Sequence, residues 1–471
     1  MKGLWPGIWI NSGRFTKLSL HTHNYAILFR HPSVSKATAY KKSGQEVMNM
    51  GILSAKKSIL ILALLLFAVT LQSPVAYAAD PLLEKLKQKG VLTEDEAAQI
   101  EKEYEKKEAK LPKGLEGVSL GALAYIDYSA GNTLSGGRQS SYNQFAVTRG
   151  YINFTKQVTP WFSVRVTPDI FQETVNDGSK AYGSWLLRFK YYYAQFNLPD
   201  LGLFTNSKTE LGMGHMPWLD FQEHINPYRC QGTMFQERFG GFNSSDIGIG
   251  IMGYFGGEMD EDYKKDVSKY YAGRYGSYHL GVYNGSGYHA TENNNDKAVE
   301  YRVTVRPLPD VLPGLQLSYF GLTGKGNSAT YTGSNAPDWH INTGFISYEA
   351  KYFTVTGEIC RNKGNQAGTW LTTGSNPKTV EGYSLFGFVR IPGLEKLRVH
   401  GRYDYFDPNI DVSDDAARLL IAGLSYDVYK HNMAMLNYER YNYDVNNSKV
   451  GGLANADDYE HKVQFVYQVS F

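Results

Sequence analysis

Between residues 116 and 471 one device recurs sixteen times: a stretch in which apolar and polar side chains alternate. Successive side chains of a strand point to opposite faces. "WFSVRVTPDI" sets Trp161, Ser163, Arg165, Thr167 and Asp169 against Phe162, Val164 and Val166. "EYRVTVRP" sets Glu300, Arg302, Thr304 and Arg306 against Tyr301, Val303 and Val305. "LRVHGRYDYF" sets Arg398, His400, Arg402 and Asp404 against Val399, Tyr403 and Tyr405. The stretches fall at 116–128, 143–156, 160–171, 183–198, 207–216, 245–256, 268–283, 297–307, 313–322, 338–349, 351–361, 381–391, 396–406, 417–429, 432–443 and 459–471.

The connections alternate in length. "QVTP" (157–160), "PDLGLFTN" (199–206), "PLPDVLPG" (307–314), the turn near Lys351, "PGLEKL" (392–397) and "YKHN" (429–432) are short. Between them lie Gly/Asn/Ser/Asp-rich segments at 129–141, 284–295, 323–338, 361–378 and 446–458. Only "GGEMDEDYKKDV" (256–267) is longer than its place in the alternation allows. Short-then-long connections over an even number of strands predict a transmembrane antiparallel β-barrel of about 16 strands, with tight turns on the periplasmic side and long loops outside. A soluble sandwich has no reason for this alternation. The last stretch, "VQFVYQVSF", ends on Phe471 and pairs with the first, leaving no open edge in lipid. Its alternation lapses once, at Val466.

Mean hydropathy of −0.38 excludes a helical membrane protein, while 36 Tyr and 48 Gly suit strands, turns and membrane interfaces. The long apolar run is "SILILALLLFAVTL" (58–71), preceded by Lys56 and Lys57 and followed by "SPVAYA". It is too short to span a membrane comfortably and suits a signal peptide, 48–78, cleaved between Ala78 and Ala79. Synthesis is then expected to begin at Met48 or Met50, with 1–47 an upstream extension outside the translated protein. A retained cytoplasmic extension with an uncleaved anchor is the alternative. Residues 1–78 hold nine Lys/Arg and one acid, so removing them leaves 39 basic against 45 acidic residues and turns the net charge from +2 to −6. Nucleic-acid binding thereby loses its compositional support.

Residues 79–112 read as a periplasmic helical or coiled-coil segment. Leu82, Leu83, Leu86, Ala97, Ile100 and Tyr104 recur at helical spacing, and Thr93 with Glu96 forms a capping box. The barrel is expected over 113–471. Cys230 and Cys360 could pair in an exported protein; two separate thiols is the favoured reading.

Several pieces carry a resemblance: "VTRGYINFTKQVTPWFSVRVTPDI", "TELGMGHMPWLDF", "SSDIGIGIMGYF", "RVTVRPLP" and the lead-in "LLEKLKQKGVLTEDEA". They resemble the phosphate-selective porin O/P family of Gram-negative outer membranes, a porin family. The resemblance implies a homotrimer of sixteen-stranded barrels in outer-membrane lipid, ion transport by passive diffusion, and a third long loop folded into the pore, here about 217–244. The terminal Phe471 looks like the signal read by the barrel assembly machinery.

Pore-lining candidates follow from strand parity: Arg165, Arg188, Lys190, Arg302, Arg306, Arg398, Arg402 and Lys462, against Asp169, Glu300, Glu358, Asp404, Asp427 and Glu439. The loop adds Arg229 and Arg238 with Asp220, Glu223 and Glu237. Eight against six on the strands is mildly basic, whereas phosphate selectivity calls for clustered Lys/Arg donors. Each charge can also be a solvated wall residue.

Other motifs dissolve on inspection. "GIGIMG" (Gly248, Gly250, Gly253) fits G-x-G-x-x-G, but no helix follows. His215, Asp220, Glu223 and His224 lie close together, yet Pro217 breaks regular ligand spacing, and no metal is expected. There is no C-x-x-C-H for a covalently held haem and no G-x-S-x-G nucleophile elbow, so neither a cofactor nor an enzyme is expected. Two readings remain. One is an outer-membrane porin passing small hydrophilic solutes or anions, phosphate among them. The other is a structural barrel sheath holding a partner such as a multihaem c-type cytochrome.

Overall fold

The computed structural model describes residues 116–176, 181–452 and 455–471, together with 89, 91–93 and 96. The extension 1–47, the leader 48–78 with its Ala78/Ala79 junction, and the rest of 79–112 lie outside the described residues. Within that segment the capping box is formed. Glu96 N–H donates to Thr93 Oγ1 at 3.2 Å, and Glu96 Oε2 accepts from Thr93 N–H at 2.9 Å and from its hydroxyl at 2.8 Å.

Sixteen strands follow. The first eight are β1 (Val118–Ser135), β2 (Arg138–Thr159), β3 (Phe162–Gln172), β4 (Trp185–Asn197), β5 (Phe204–His215), β6 (Ser245–Phe255), β7 (Gly276–Tyr283) and β8 (Ala298–Val305). The second eight are β9 (Leu315–Lys325), β10 (Asp338–Glu349), β11 (Phe353–Lys363), β12 (Thr379–Ile391), β13 (Leu394–Asp407), β14 (Ala417–Tyr429), β15 (Asn432–Tyr443) and β16 (Tyr459–Ser470). Short helices α1 (Leu219–Ile225) and α2 (Phe235–Arg238) lie between β5 and β6, and α3 (Glu261–Asp266) between β6 and β7. Every strand pairs antiparallel with its sequence neighbour, and β1 closes on β16, from Leu123 opposite Ser470 to Asn132 opposite His461. The Ala122 N–H donates to Phe471 O at 3.0 Å, so pairing reaches the last residue.

Strand alternation gives the wall its two faces. On β8, Val299, Tyr301, Val303 and Val305 are exposed outward, while Ala298, Glu300, Arg302 and Thr304 are buried inward. The same outward apolar row continues through Leu317 and Tyr319 on β9 and Leu385 and Val389 on β12. Trp161, Phe162 and Phe196 stack at one rim, with ring centroids 5.2–6.3 Å apart, an aromatic group of the kind that marks a membrane interface. Both chain ends of the barrel and the tight turns lie at that rim, the periplasmic end by the usual rule for such barrels.

Two expectations are corrected. Residues 129–141, read as a long loop, are mostly strand: β1 and β2 run 18 and 22 residues and turn at Gly136 and Gly137. Both glycines have positive φ, 53° and 69°, which matches the two-residue hairpin turn favoured by strand twist. The β15–β16 connection holds this projecting ribbon through Gly137 N–H to Lys449 O (2.9 Å) and Asp457 N–H to Gly137 O (3.0 Å). The second correction concerns 268–275, read as the start of the seventh strand. β7 begins only at Gly276; Tyr271 at φ 48° breaks the extended run before it. Residues 256–275 are instead one long connection on the periplasmic rim, with α3 capped by Asp260, whose Oδ1 accepts the Tyr263 N–H at 2.8 Å.

Candidate functional site: the lumen and its inserted loop

The β5–β6 connection does not project from the rim. It crosses the lumen and is fixed at three places by apolar side chains on inward-facing strand positions. Trp218, Leu219 and Phe221 pack with Phe320 and Leu322 of β9 and Trp339, Ile341 and Phe345 of β10. Tyr228 and Cys230 pack with Phe386, Phe388, Met433, Met435 and Val466. Phe235 packs with Cys360, Val380 and Phe406. Apolar residues facing inward would be misplaced in a water-filled channel; here they are the sockets of the loop. Cys230 and Cys360, both buried and free, sit in different sockets.

Polar contacts lock the same segment. Gln222 and Gln236 donate to the two oxygens of Glu358 at 2.5 and 2.6 Å, and Asn362 donates to Gln236 at 2.8 Å. Gln231 and Arg238 donate to Glu439 Oε2 at 2.5 and 2.9 Å. Arg402 donates to Thr233 O at 2.9 Å while forking onto Asp404. Such contacts span β11 to β15, across the barrel from the strands that carry the loop.

The candidate charges divide on these grounds. Arg302 and Arg306 face inward but are each 1% exposed, so neither lines free lumen. Arg302 donates to Pro217 O (3.0 Å), Ser277 and Thr304; Arg306 donates to Gly273 O and Tyr263 Oη. They are struts beneath the inserted chain. Arg398 pairs with Asp427, Arg402 with Asp404, Arg238 with Glu439 and Arg188 with Asp169. Lys190, buried, donates to Tyr151 Oη at 3.0 Å. Arg229 donates to Glu223 at 2.8 Å and Glu237 at 3.0 Å within the loop. Burial would raise the Glu223 carboxyl, but Arg229, Lys190 and Arg149 outweigh it and hold it below the ordinary range. The carboxyl of Asp220 is likewise depressed against burial by His224, His215 and the Tyr271 hydroxyl.

Among the described residues, two sizeable cavities lie between the loop and the wall. One, of about 500 Å³, lies against β1, β2 and β16, and its charged lining is Arg149, Arg229, Lys462 and Asp127. The other, of about 420 Å³, lies toward the periplasmic rim against β3 to β7, with Arg165, Lys208, Asp220 and Glu258 as its charged lining. Arg165 bonds Thr167 and Asn153 and lies over the Tyr191 ring, 4.6 Å from its centroid. Arg149 was not among the candidates. Its guanidinium stands over the Tyr151 ring at 4.9 Å and the Tyr125 ring at 5.6 Å. The signal was present: Arg149 shares parity with Tyr151, Asn153 and Thr155, opposite Ile152 and Phe154.

Comparison of folds finds the same architecture in Gram-negative outer-membrane porins. The anion-selective porin of Comamonas acidovorans matches with a TM-score of 0.50 at 13% identity, covering 75% of this chain and 100% of that one. OmpF of Salmonella typhi, solved in complex with daunomycin, matches with a TM-score of 0.50 at 11% identity, covering 75% and 97%. At these identities the likeness is one of fold. No protein-family model and no curated protein sequence matches the chain. The closed sixteen-strand barrel, its apolar outer face and this shared architecture make the chain a multi-pass β-barrel of the outer membrane.

Proposed function

We propose that the barrel is a porin, a passive channel for small hydrophilic solutes with a mild preference for anions, assembled as a homotrimer. The observation that carries this reading is the inserted loop. It is bolted to the far wall yet leaves two polar, charge-lined cavities beside it. A barrel serving as a sheath for a cytochrome would need a wide empty lumen, and here Trp218, Tyr228 and Phe235 occupy it. The anion preference rests on Arg149 in the larger of the two lumen cavities, beside Arg229, which is held by Glu223 and Glu237, and Lys462, 3.3 Å from Glu439. Arg188, Arg238, Arg398 and Arg402 each pair with a carboxylate, and Arg302 and Arg306 are buried, so the inward cations do not gather into the dense donor cluster that phosphate recognition calls for. Planar-bilayer recording under a KCl gradient tests the reading. Ohmic conductance with a reversal potential on the chloride side is expected, and phosphate should add no saturable block. A purified, heat-modifiable barrel without conductance overturns it.

A further inference from the structure

We propose that the periplasmic connection 256–275 is a second constriction element, entering the lumen from the end opposite the first and latched to it by Tyr271. This deepens the channel reading and rests on it.

Tight turns are the rule at that rim, and this connection is the exception. Its length is spent going inward. Tyr271 Oη donates to Asp220 Oδ2 of the inserted loop at 2.5 Å. The Tyr271 ring meets Phe221 edge-on at 5.0 Å, and Tyr270 lies 4.0 Å from the ring of His224. Five residues from two segments that start at opposite rims thus touch inside the barrel.

The wall holds both segments with one pair of side chains. Arg302 fastens the outer loop through Pro217 O and stacks on Phe221 at 4.3 Å and Tyr271 at 5.0 Å. Four residues on, just past the periplasmic end of β8, Arg306 fastens the connection through Gly273 O, Tyr263 Oη and Tyr271 O. Both guanidiniums are buried, where Arg–backbone bonds are strong and costly to leave unmade. Tyr271 itself sits at φ 48°, a left-handed conformation that a bulky residue adopts only where its surroundings enforce it. The strain is spent on aiming the ring at Phe221 and Asp220. Tyr270 and Tyr271 both line the cavity of about 420 Å³ on the periplasmic side of the loop, so a solute passing through that cavity meets them as well as the loop. Size selection is then set from both sides, and Tyr271 is its specificity-determining residue.

The test compares wild type, Tyr271→Phe, Tyr271→Ala and a deletion within 260–270, each checked for heat-modifiable folding. Single-channel conductance and swelling of proteoliposomes in oligosaccharides of rising size are read. Tyr271→Ala should raise conductance roughly twofold and admit larger sugars, as widening the narrowest section of a pore does. Tyr271→Phe keeps the ring but loses the Asp220 bond, and should show a smaller rise with added open-channel noise. If the deletion or the Ala variant does not fold, the Phe variant decides alone. A conducting wild type whose folded variants keep its conductance and sugar cut-off overturns this inference and leaves the channel reading standing. A folded wild type that does not conduct overturns both.

Discussion

The indole of Trp218 lies parallel to the ring of Phe320, 5.4 Å between centroids and 13° from coplanar, with neither residue exposed. The contact joins a loop that leaves the barrel at β5 to the inner face of β9. Removing the indole should cost about 3–5 kcal/mol, the usual range for a buried Trp→Ala. The loss falls on the loop's anchorage, because the strand ladder does not depend on it. Trp218→Ala should therefore fold as a heat-modifiable barrel, become open to protease within 217–244, and conduct more. A variant that fails to fold at all would make this cluster part of the barrel's own stability.

Arg149 and Arg302 separate lining from support. Arg149 faces a cavity and is held by two tyrosine rings. Arg149→Ala should shift the reversal potential toward cations with little change in thermal stability. Arg302→Ala removes buried bonds to Pro217 O, Ser277 and Thr304, and should lower stability by about 1–3 kcal/mol through unsatisfied partners. Equal effects of the two on selectivity would contradict the division.

Val303 stands near the middle of β8 on the outer face, 42% exposed to the surroundings of the barrel. If that surrounding is lipid, Val303→Arg should destabilise by about 2–4 kcal/mol, as charges at the bilayer midplane do. Gln144→Arg, on the wall of the cavity beside β1 and β2, should cost much less, because a lumen-facing charge is not placed in lipid. Urea unfolding from vesicles gives both numbers.

Period two in the sequence reached far into this fold. Strands β10, β14 and β15 begin and end where the alternation of 338–349, 417–429 and 432–443 places them. It reached that far because one face meets lipid and a slip of one residue would turn every side chain over. The lapses in the pattern were as informative as the pattern. Val466, out of place in the final strand, is fully buried against the Tyr228 and Cys230 socket. Phe320, Leu322, Trp339 and Ile341 break the polar inner face of β9 and β10 for the same reason. The path of the loop could have been read from them. The struts could not. Parity puts Arg302 and Arg306 inside, but only the packing of two inserted segments decides that they never meet solute. Glycine-rich composition misled at 129–141, because a tandem glycine turn and a flexible loop share the same residues and differ only in what flanks them.

The ends of the chain carry an expectation about biogenesis. Phe471 is paired through its backbone to Ala122 but leaves its side chain exposed, so it contributes little packing. If it is a signal for barrel assembly, deleting it should lower the folded outer-membrane fraction while Phe471→Tyr is tolerated. N-terminal sequencing of the same material should begin at Ala79. Peptides from 1–47, or assembly indifferent to the deletion, would count against each expectation in turn.

Arg229 is the cation on which the charge of the loop turns. It reaches Glu223 with one nitrogen and Glu237 with another, at 2.8 and 3.0 Å, from within the same segment. Arg229→Ala therefore does more than delete one positive charge, because it uncovers two carboxylates beside the cavity that Arg149 lines. The reversal potential should move toward cations further than in Arg149→Ala. The stability loss should stay below the 3–5 kcal/mol of a fully buried pair, since the carboxylates keep 23% and 14% exposure and water can take the place of the guanidinium. Adding Glu223→Gln and Glu237→Gln to Arg229→Ala should return the selectivity most of the way to wild type. If the triple variant stays as cation-shifted as the single one, the two carboxylates do not face the permeation path, and Arg229 acts on solutes by its own charge alone.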